Sequence, residues 1–253
     1  MTYPLTTSGT TSFTVKAQDV VNYAFRKMGV LELGATADSN ATANALFSLE
    51  IIIKNLIVKG SKLWTIQELV LPCVAGQTTY NLGPTGVVPA SGSLDLATDK
   101  PLLLMQAWIR NNTSTPPNDI PLMVISQYDY NTLGNKGSSG TPNSVELQVL
   151  RDYSVLKSYV TPDTFAQANY TYHLLVKRTL QDVTSLTNNF DLPQEWLLPL
   201  GWLLAAELCP DWEVPPNKTQ MIEMKAAKYL AEVEDFDVET ASIFFTPASR
   251  WYR

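Results

Sequence analysis

Three observations predict an α+β fold. Apolar residues recur with helical period at both ends of the 253-residue chain. Between about 64 and 190, short alternating apolar runs are separated by turn signals. A chain of this length also hides roughly three quarters of its unfolded surface, so it needs neither disulfide nor metal to build a core. The expected architecture is a helical bundle formed by the N-terminal and C-terminal helices, an inserted antiparallel β-domain of sandwich or barrel-like form, and an extended C-terminal arm. The expected boundaries are an N-terminal extension over 1–13, a helical domain over 14–63 and 191–236, a β-domain over 64–190 and an arm over 237–253.

The first helix is read from Ala17, Val20, Val21, Ala24, Phe25 and Met28, which fall on one helical face. Thr14 is its expected N-cap and Gly29 its stop. A second helix is expected over about 38–59, with Ala45, Leu46, Leu49, Ile52, Ile53 and Leu56 as its core stripe and Gly60 as its end. Phe47, Ile51 and Val58 lie off that stripe and make a second apolar face. Such a helix is either central to its domain or in contact with a neighbouring subunit. One short preceding helix cannot cover both faces, which favours the neighbour.

Residues 68–74 and 78–82, joined by Ala75-Gly76-Gln77, read as a hairpin. Strands over 102–109 and 120–125 flank a polar loop, and Ser126 is the expected cap of a short helix running through Leu133. The loop over 134–140 lacks the glycine-lysine-serine order and the preceding strand of a phosphate-binding loop. Strands over 145–150 and 168–179 complete the set. Pro193 and Glu195 signal a helix start. Pro199 implies either a kink or a helix that begins near it, and Pro215-Pro216 opens a last helix with Ile222, Ala226, Tyr229, Leu230 and Val233 on one face.

Composition narrows the chemistry. The chain has one histidine, His173, and two cysteines, Cys73 and Cys209. These cannot form a thiolate- or imidazole-rich metal cage. A nucleophilic triad would have to use His173 as base, and that residue sits in an alternating run that reads as an ordinary strand. No cofactor is implied. The N-terminal residues have neither the basic start nor the apolar stretch of a signal peptide. The apolar runs read as too short and too interrupted to span a membrane, so a soluble, cytoplasmically made protein is expected.

Charge is uneven. Residues 191–240 carry eleven acidic side chains against three lysines, a net −8, which leaves +2 elsewhere in a chain of net −6. The acids gather at Glu232, Glu234, Asp235, Asp237 and Glu239, without the central glycine and later glutamate of a calcium loop. No basic run with interleaved aromatics is present, which disfavours sequence-specific nucleic-acid binding.

The order of helices, β-domain and helices, with particular words at the joints, resembles the head-to-tail adaptor proteins of short-tailed bacteriophages and related prophages. The words are Ala24-Phe25-Arg26-Lys27-Met28-Gly29-Val30; Gly60-Ser61-Lys62-Leu63-Trp64; Leu71-Pro72-Cys73-Val74-Ala75-Gly76-Gln77-Thr78-Thr79-Tyr80-Asn81-Leu82-Gly83-Pro84; and Leu192-Pro193-Gln194-Glu195-Trp196 with Leu204-Ala205-Ala206-Glu207-Leu208-Cys209-Pro210. They cover most of 15–233 in the family's order. Pro199 and Pro210 depart from the smoother third helix of that family, and the segment beyond Phe236 lies outside the shared pattern.

The resemblance implies a non-enzymatic structural virion protein of the neck, made in the bacterial host cytoplasm. Its expected partners are the portal protein, a downstream tail or nozzle protein, and further copies of itself in a ring, commonly a dodecamer. Double-stranded DNA would pass through without sequence-specific binding, and no membrane is involved. Phe47, Ile51 and Val58 are then candidates for the subunit interface, and Glu223, Glu232, Glu234, Asp235 and Asp237 for an acidic channel lining that repels phosphates. Phe244, Phe245, Arg250, Trp251, Tyr252 and Arg253 are candidates for an arm docking onto the portal or a neighbour. Two alternatives stand beside this reading: a tail, baseplate or capsid-decorating protein, and a hydrolase using paired carboxylates.

Overall fold

The computed structural model describes residues 13–32, 34–58, 63–90 and 92–237. Helices α1 (Ala17–Met28) and α2 (Ser39–Val58) are followed by strands β1 (Ile66–Pro72), β2 (Thr79–Gly83), β3 (Leu96–Ala97), β4 (Pro101–Asn111) and β5 (Asn118–Val124). After helix α3 (Gln127–Thr132) come β6 (Ser139–Gly140), β7 (Ser144–Val149), β8 (Ser154–Tyr159) and β9 (Thr161–Pro162). Helix α4 (Thr164–Asn169), strand β10 (Tyr170–Arg178) and helices α5 (Leu197–Leu208) and α6 (Pro216–Phe236) complete the order. The fold is α+β with a large, nearly closed, barrel-like sheet.

Helix ends follow from the groups that satisfy them. The expected cap at Thr14 is not used. The N–H groups of Ala17 and Gln18 donate to the carbonyls of Asn188 and Leu186 at 3.0 Å, and Asp19 accepts from the Lys16 N–H at 3.2 Å. These first-turn donors are therefore met largely by a distant segment, which local spacing does not encode. Gly29 does end α1, at a φ of 76° that favours glycine. Because α5 begins at Leu197, Pro199 lies in its first turn, where a missing N–H removes no helical bond. Pro216 opens α6 in the same way.

Helix α5 packs on α1, α2 and α6 and buries Leu200, Gly201, Trp202, Leu204, Ala205 and Leu208. Gly201 allows close approach to α1, since a Cβ there would stand 2.7 Å from the Tyr23 ring. The shared apolar cluster includes Val21, Phe25, Leu49, Ile53, Leu200, Leu204 and Ile222. Leu180 and Val183 are buried in it, and Leu186 and Phe190 pack against it. The β-domain therefore ends at Arg178, earlier than the expected boundary at 190; residues 179–190 lack a strand partner apart from the bridge Lys16↔Asn189, and their apolar side chains fill the helical core instead.

The main sheet runs β1-β10-β4-β5-β7-β8-β2-β3. The expected hairpin between the first two strands does not form: β1 pairs with β10 (Leu69↔Leu174) and β2 with β8 (Tyr80↔Leu156). The sheet is also not wholly antiparallel, because β5–β7 and β2–β3 are parallel pairs. It curls around one core of Leu69, Leu71, Leu82, Ile109, Val145, Leu156, Tyr172 and Leu174. Tyr80 of β2 and Tyr172 of β10, far apart in strand order, meet across that interior with ring centroids 5.5 Å apart. Ser158 of β8 also reaches the Tyr172 hydroxyl at 2.7 Å. The β4–β5 hairpin and the Ser126-capped α3 follow the sequence pattern, with Ser126 Oγ accepting from Asp129 N–H at 3.1 Å.

At the junction of the two cores, Arg178 donates to Asp191 at 2.9 Å and lies 3.2 Å from Asp99. Lys54 of α2 pairs with Asp182. By length and composition α2 is long and apolar enough to cross a membrane, with a mean hydropathy of 1.4 over an 18-residue stretch. The run-length reading missed this because Asn44, Glu50 and Lys54 interrupt the apolar sequence. One side of α2, through Ala45, Leu49, Ile53 and Leu56, is buried in the helical core.

Candidate interaction surfaces

The second apolar face of α2 points away from the core. Phe47 is 65% exposed, Ile51 52% and Val58 81%. By helical periodicity these three fall on one line opposite Ala45, Leu49, Ile53 and Leu56. Helix α5, rather than α2, is the helix buried against neighbours on several sides. No described residue covers the α2 line.

The acidic residues of α6 do not form one strip. Glu223 and Glu234 share a flank by periodicity; Glu223 is exposed and Glu234 half-buried. Glu232 and Asp235 are exposed on the other flank, where Glu232 lies 3.6 Å from Lys228. Asp237 is half-buried at the C-cap, its N–H donating to the Val233 carbonyl at 3.0 Å. The arm candidates Phe244, Phe245, Arg250, Trp251, Tyr252 and Arg253 lie outside the described residues.

Two arrangements were not visible in the linear pattern. The first joins three helices: Lys27 of α1 lies 4.6 Å from the Tyr23 ring centroid and 5.4 Å from that of Trp202, and Lys225 of α6 lies 4.8 Å from the latter. Tyr229 tilts against Trp202 at 6.1 Å. A small cationic and aromatic patch thus exists where the sequence shows no basic run, because its members come from separate helices. Cation–ring contacts of this kind contribute roughly 0.5–1 kcal/mol when exposed.

The second arrangement centres on His173, which is 5% exposed on β10. Its Nδ1 lies 2.6 Å from Glu68 Oε1 of β1, its Nε2 3.2 Å from Thr171 Oγ1, and its ring stacks on Trp108 of β4 at 5.6 Å. Hydroxyl, imidazole and carboxylate are in the order of a nucleophilic relay. β10, however, is an interior strand laddered on both sides, so its backbone donors are taken and offer no oxyanion hole. The contacts of His173 link β1, β10 and β4. Nearby, Arg110 of β4 grips Asp119 of β5 with two bonds of 2.7 and 2.8 Å, which holds the Asp119 carboxyl below its usual range.

Among the described residues no group of three or more His, Cys, Asp and Glu side chains is placed to hold a metal ion. Cys73 and Cys209 are each 1% exposed and unpaired with one another. Burial pushes the Cys73 thiol up to about 12 and raises that of Cys209 as well, the opposite of what a nucleophilic thiol requires. Neither protein-family models nor curated proteins give a match to this chain.

Proposed function

We propose that this chain is a structural virion protein, a ring-forming head-to-tail adaptor that docks beneath the portal of a short-tailed phage and forms part of the DNA channel. The observation that carries the reading is the exposed line Phe47, Ile51 and Val58 on α2. An apolar line on a regular helix, interrupted only by Lys54 and left uncovered by the described residues, is the kind of surface that another chain covers. In this reading α1, α2, α5 and α6 are the adaptor's helical bundle and the barrel is its inserted domain. The subunits form a ring, commonly dodecameric, that meets the portal above and a tail or nozzle protein below. Residues 237–253 are its docking arm. In this reading Glu223 and Glu234, which share one flank of α6, face passing DNA and discourage adhesion by like charge, whereas Glu232 and Asp235 lie on the other flank. The site of action is the neck of the virion, after synthesis in the bacterial cytoplasm.

Native mass spectrometry of the purified chain, alone and with its portal ring, tests this. Binding of a fixed number of copies to the portal is expected, and failure to bind overturns the proposal.

A second reading, a tail, baseplate or decorating protein, draws on the outer wall of the barrel. Leu103 is 55% and Met123 66% exposed there, and a cavity of about 480 Å³ lies between Met105, Trp108, Pro121 and Val124. Cryo-imaging of particles separates the two by position: density in the neck supports the adaptor, density elsewhere the alternative.

A further inference from the structure

Resting on that reading, we infer that the α2 line of one copy docks on the outward face of α6 of the next. The chain presents two unlike apolar helix faces. On α2 they are Phe47, Ile51 and Val58; on α6 they are Met221, 43% exposed, and Met224, 68% exposed. Both helices pack on α1 and α5, but only marginally on one another, so they stand on different flanks of the α1–α5 pair. A patch on one flank that meets a different patch on another flank repeats from copy to copy, and closes into a ring when the rotation per copy divides a full turn. Pairing α2 with α2 would instead stop at a dimer and leave the α6 face uncovered.

The chemistry of the two faces is complementary. Phe47, Ile51 and Val58 are stiff knobs, whereas methionine is unbranched and adapts to what it meets. Met221 and Met224, with Asn217, Gln220, Lys225 and Lys228, line a depression of about 430 Å³ along α6. Charge selects the partner. Within α2 the charged residues are Glu50 and Lys54. Lys54 is engaged by Asp182 of its own chain, while Glu50, next to Ile51, makes no ion pair with a described residue. Lys225, next to Met224, rests over the Trp202 ring and likewise has no carboxylate partner among the described residues. Docking α2 on α6 therefore sets a carboxylate and an ammonium, neither ion-paired with a described residue, against one another at the edge of an apolar contact. Docking either face on itself sets like charges together.

Cysteine cross-linking tests the pairing, with the buried Cys73 and Cys209 of the unsubstituted chain as the internal control. The chain carrying both Ile51→Cys and Met224→Cys is oxidised, concentrated alone and bound to the portal ring, beside each single variant. A ladder of disulfide-linked multimers from the double variant, with no linkage from either single variant, is expected. Combining Glu50→Lys with Lys225→Glu is expected to restore the assembly that Glu50→Lys alone reduces at least tenfold.

Disulfide dimers from Ile51→Cys alone would assign the α2 line to a two-fold contact and overturn the inference. A ring detected by native mass spectrometry, yet without the ladder, would overturn the inference and leave the ring reading intact. Absence of any oligomer, even on the portal, would overturn both. Flotation of the chain with phosphatidylglycerol vesicles, abolished by Ile51→Glu, would assign the line to a membrane and also overturn the inference.

Discussion

Cys73 faces the barrel core beside Tyr80 and Tyr172, and burial raises its thiol from 9.0 to about 12. Its folded value lies above its unfolded one, so the associated stability is complete below pH 9 and is lost as pH rises toward 12, where only the unfolded chain releases the proton. Tyr80, raised from 10.0 to about 12 by the same burial, adds to the loss at the upper end. Urea denaturation at pH 8 and pH 10.5 is expected to differ by about 2 kcal/mol from Cys73 alone, and Cys73→Ala is expected to remove most of that increment. An unchanged slope in the variant would place the alkaline loss elsewhere. His173 makes a different contribution, through a 2.6 Å bond to Glu68 and a ring stacked on Trp108. Because Glu68 is partly exposed, His173→Ala is expected to cost only about 1–2 kcal/mol, read as a lower urea midpoint at constant slope with a shift in tryptophan emission.

The buried and exposed faces of α2 are expected to respond differently to substitution. Leu49 is fully buried, so Leu49→Ala is expected to cost about 3 kcal/mol in thermal or urea unfolding. Ile51→Ser, on the exposed line, is expected to change stability by no more than about 0.5 kcal/mol while weakening assembly. At the α1–α5 contact, Gly201→Ala places a Cβ 2.7 Å from the Tyr23 ring and is expected to cost about 1–3 kcal/mol, visible as a lower midpoint in thermal melts. Much of this was legible before the structure. The Ala17 to Met28 period, the core stripe of α2, the Ser126 cap and Pro216 at the start of α6 are all local signals, and local signals place helices. What distance encodes was not legible. The apparent hairpin of β1 and β2 dissolved because the partners that satisfy them, β10 and β8, come from the other end of the domain. Strand β8 was missed because Ser154, Lys157 and Ser158 break its apolar pattern, although Ser154 and Ser158 are buried with hydrogen bonds to Pro101 and Tyr172. The Lys27, Trp202 and Lys225 patch was hidden for the same reason, since three helices must fold before its members meet.

At the scale of the whole molecule, two apolar cores share one chain, and the chain enters and leaves the barrel at a single place. Ile66 at the start of β1 stands opposite Lys177 near the end of β10 in the strand register. The helical core, by contrast, is built from segments on both sides of this insertion, with Trp64 and Trp196 meeting at 4.9 Å. Neighbouring strands lie about 5 Å apart, so a short glycine and serine linker spans the gap left by removing residues 66–177. The excised chain is expected to keep a helical circular dichroism spectrum and a cooperative melt, because the residues that fill the helical core, including Leu180 and Val183, are retained. Its stability is expected to fall, since Arg178 keeps Asp191 but loses Asp99, and α2 loses the Lys177 contact to the Ile57 carbonyl. Those contacts are few and partly exposed, so a loss of about 1–3 kcal/mol is the expected size. A chain that instead melts without cooperativity would mean that the barrel supplies the order of the helices, and that the two cores are one folding unit.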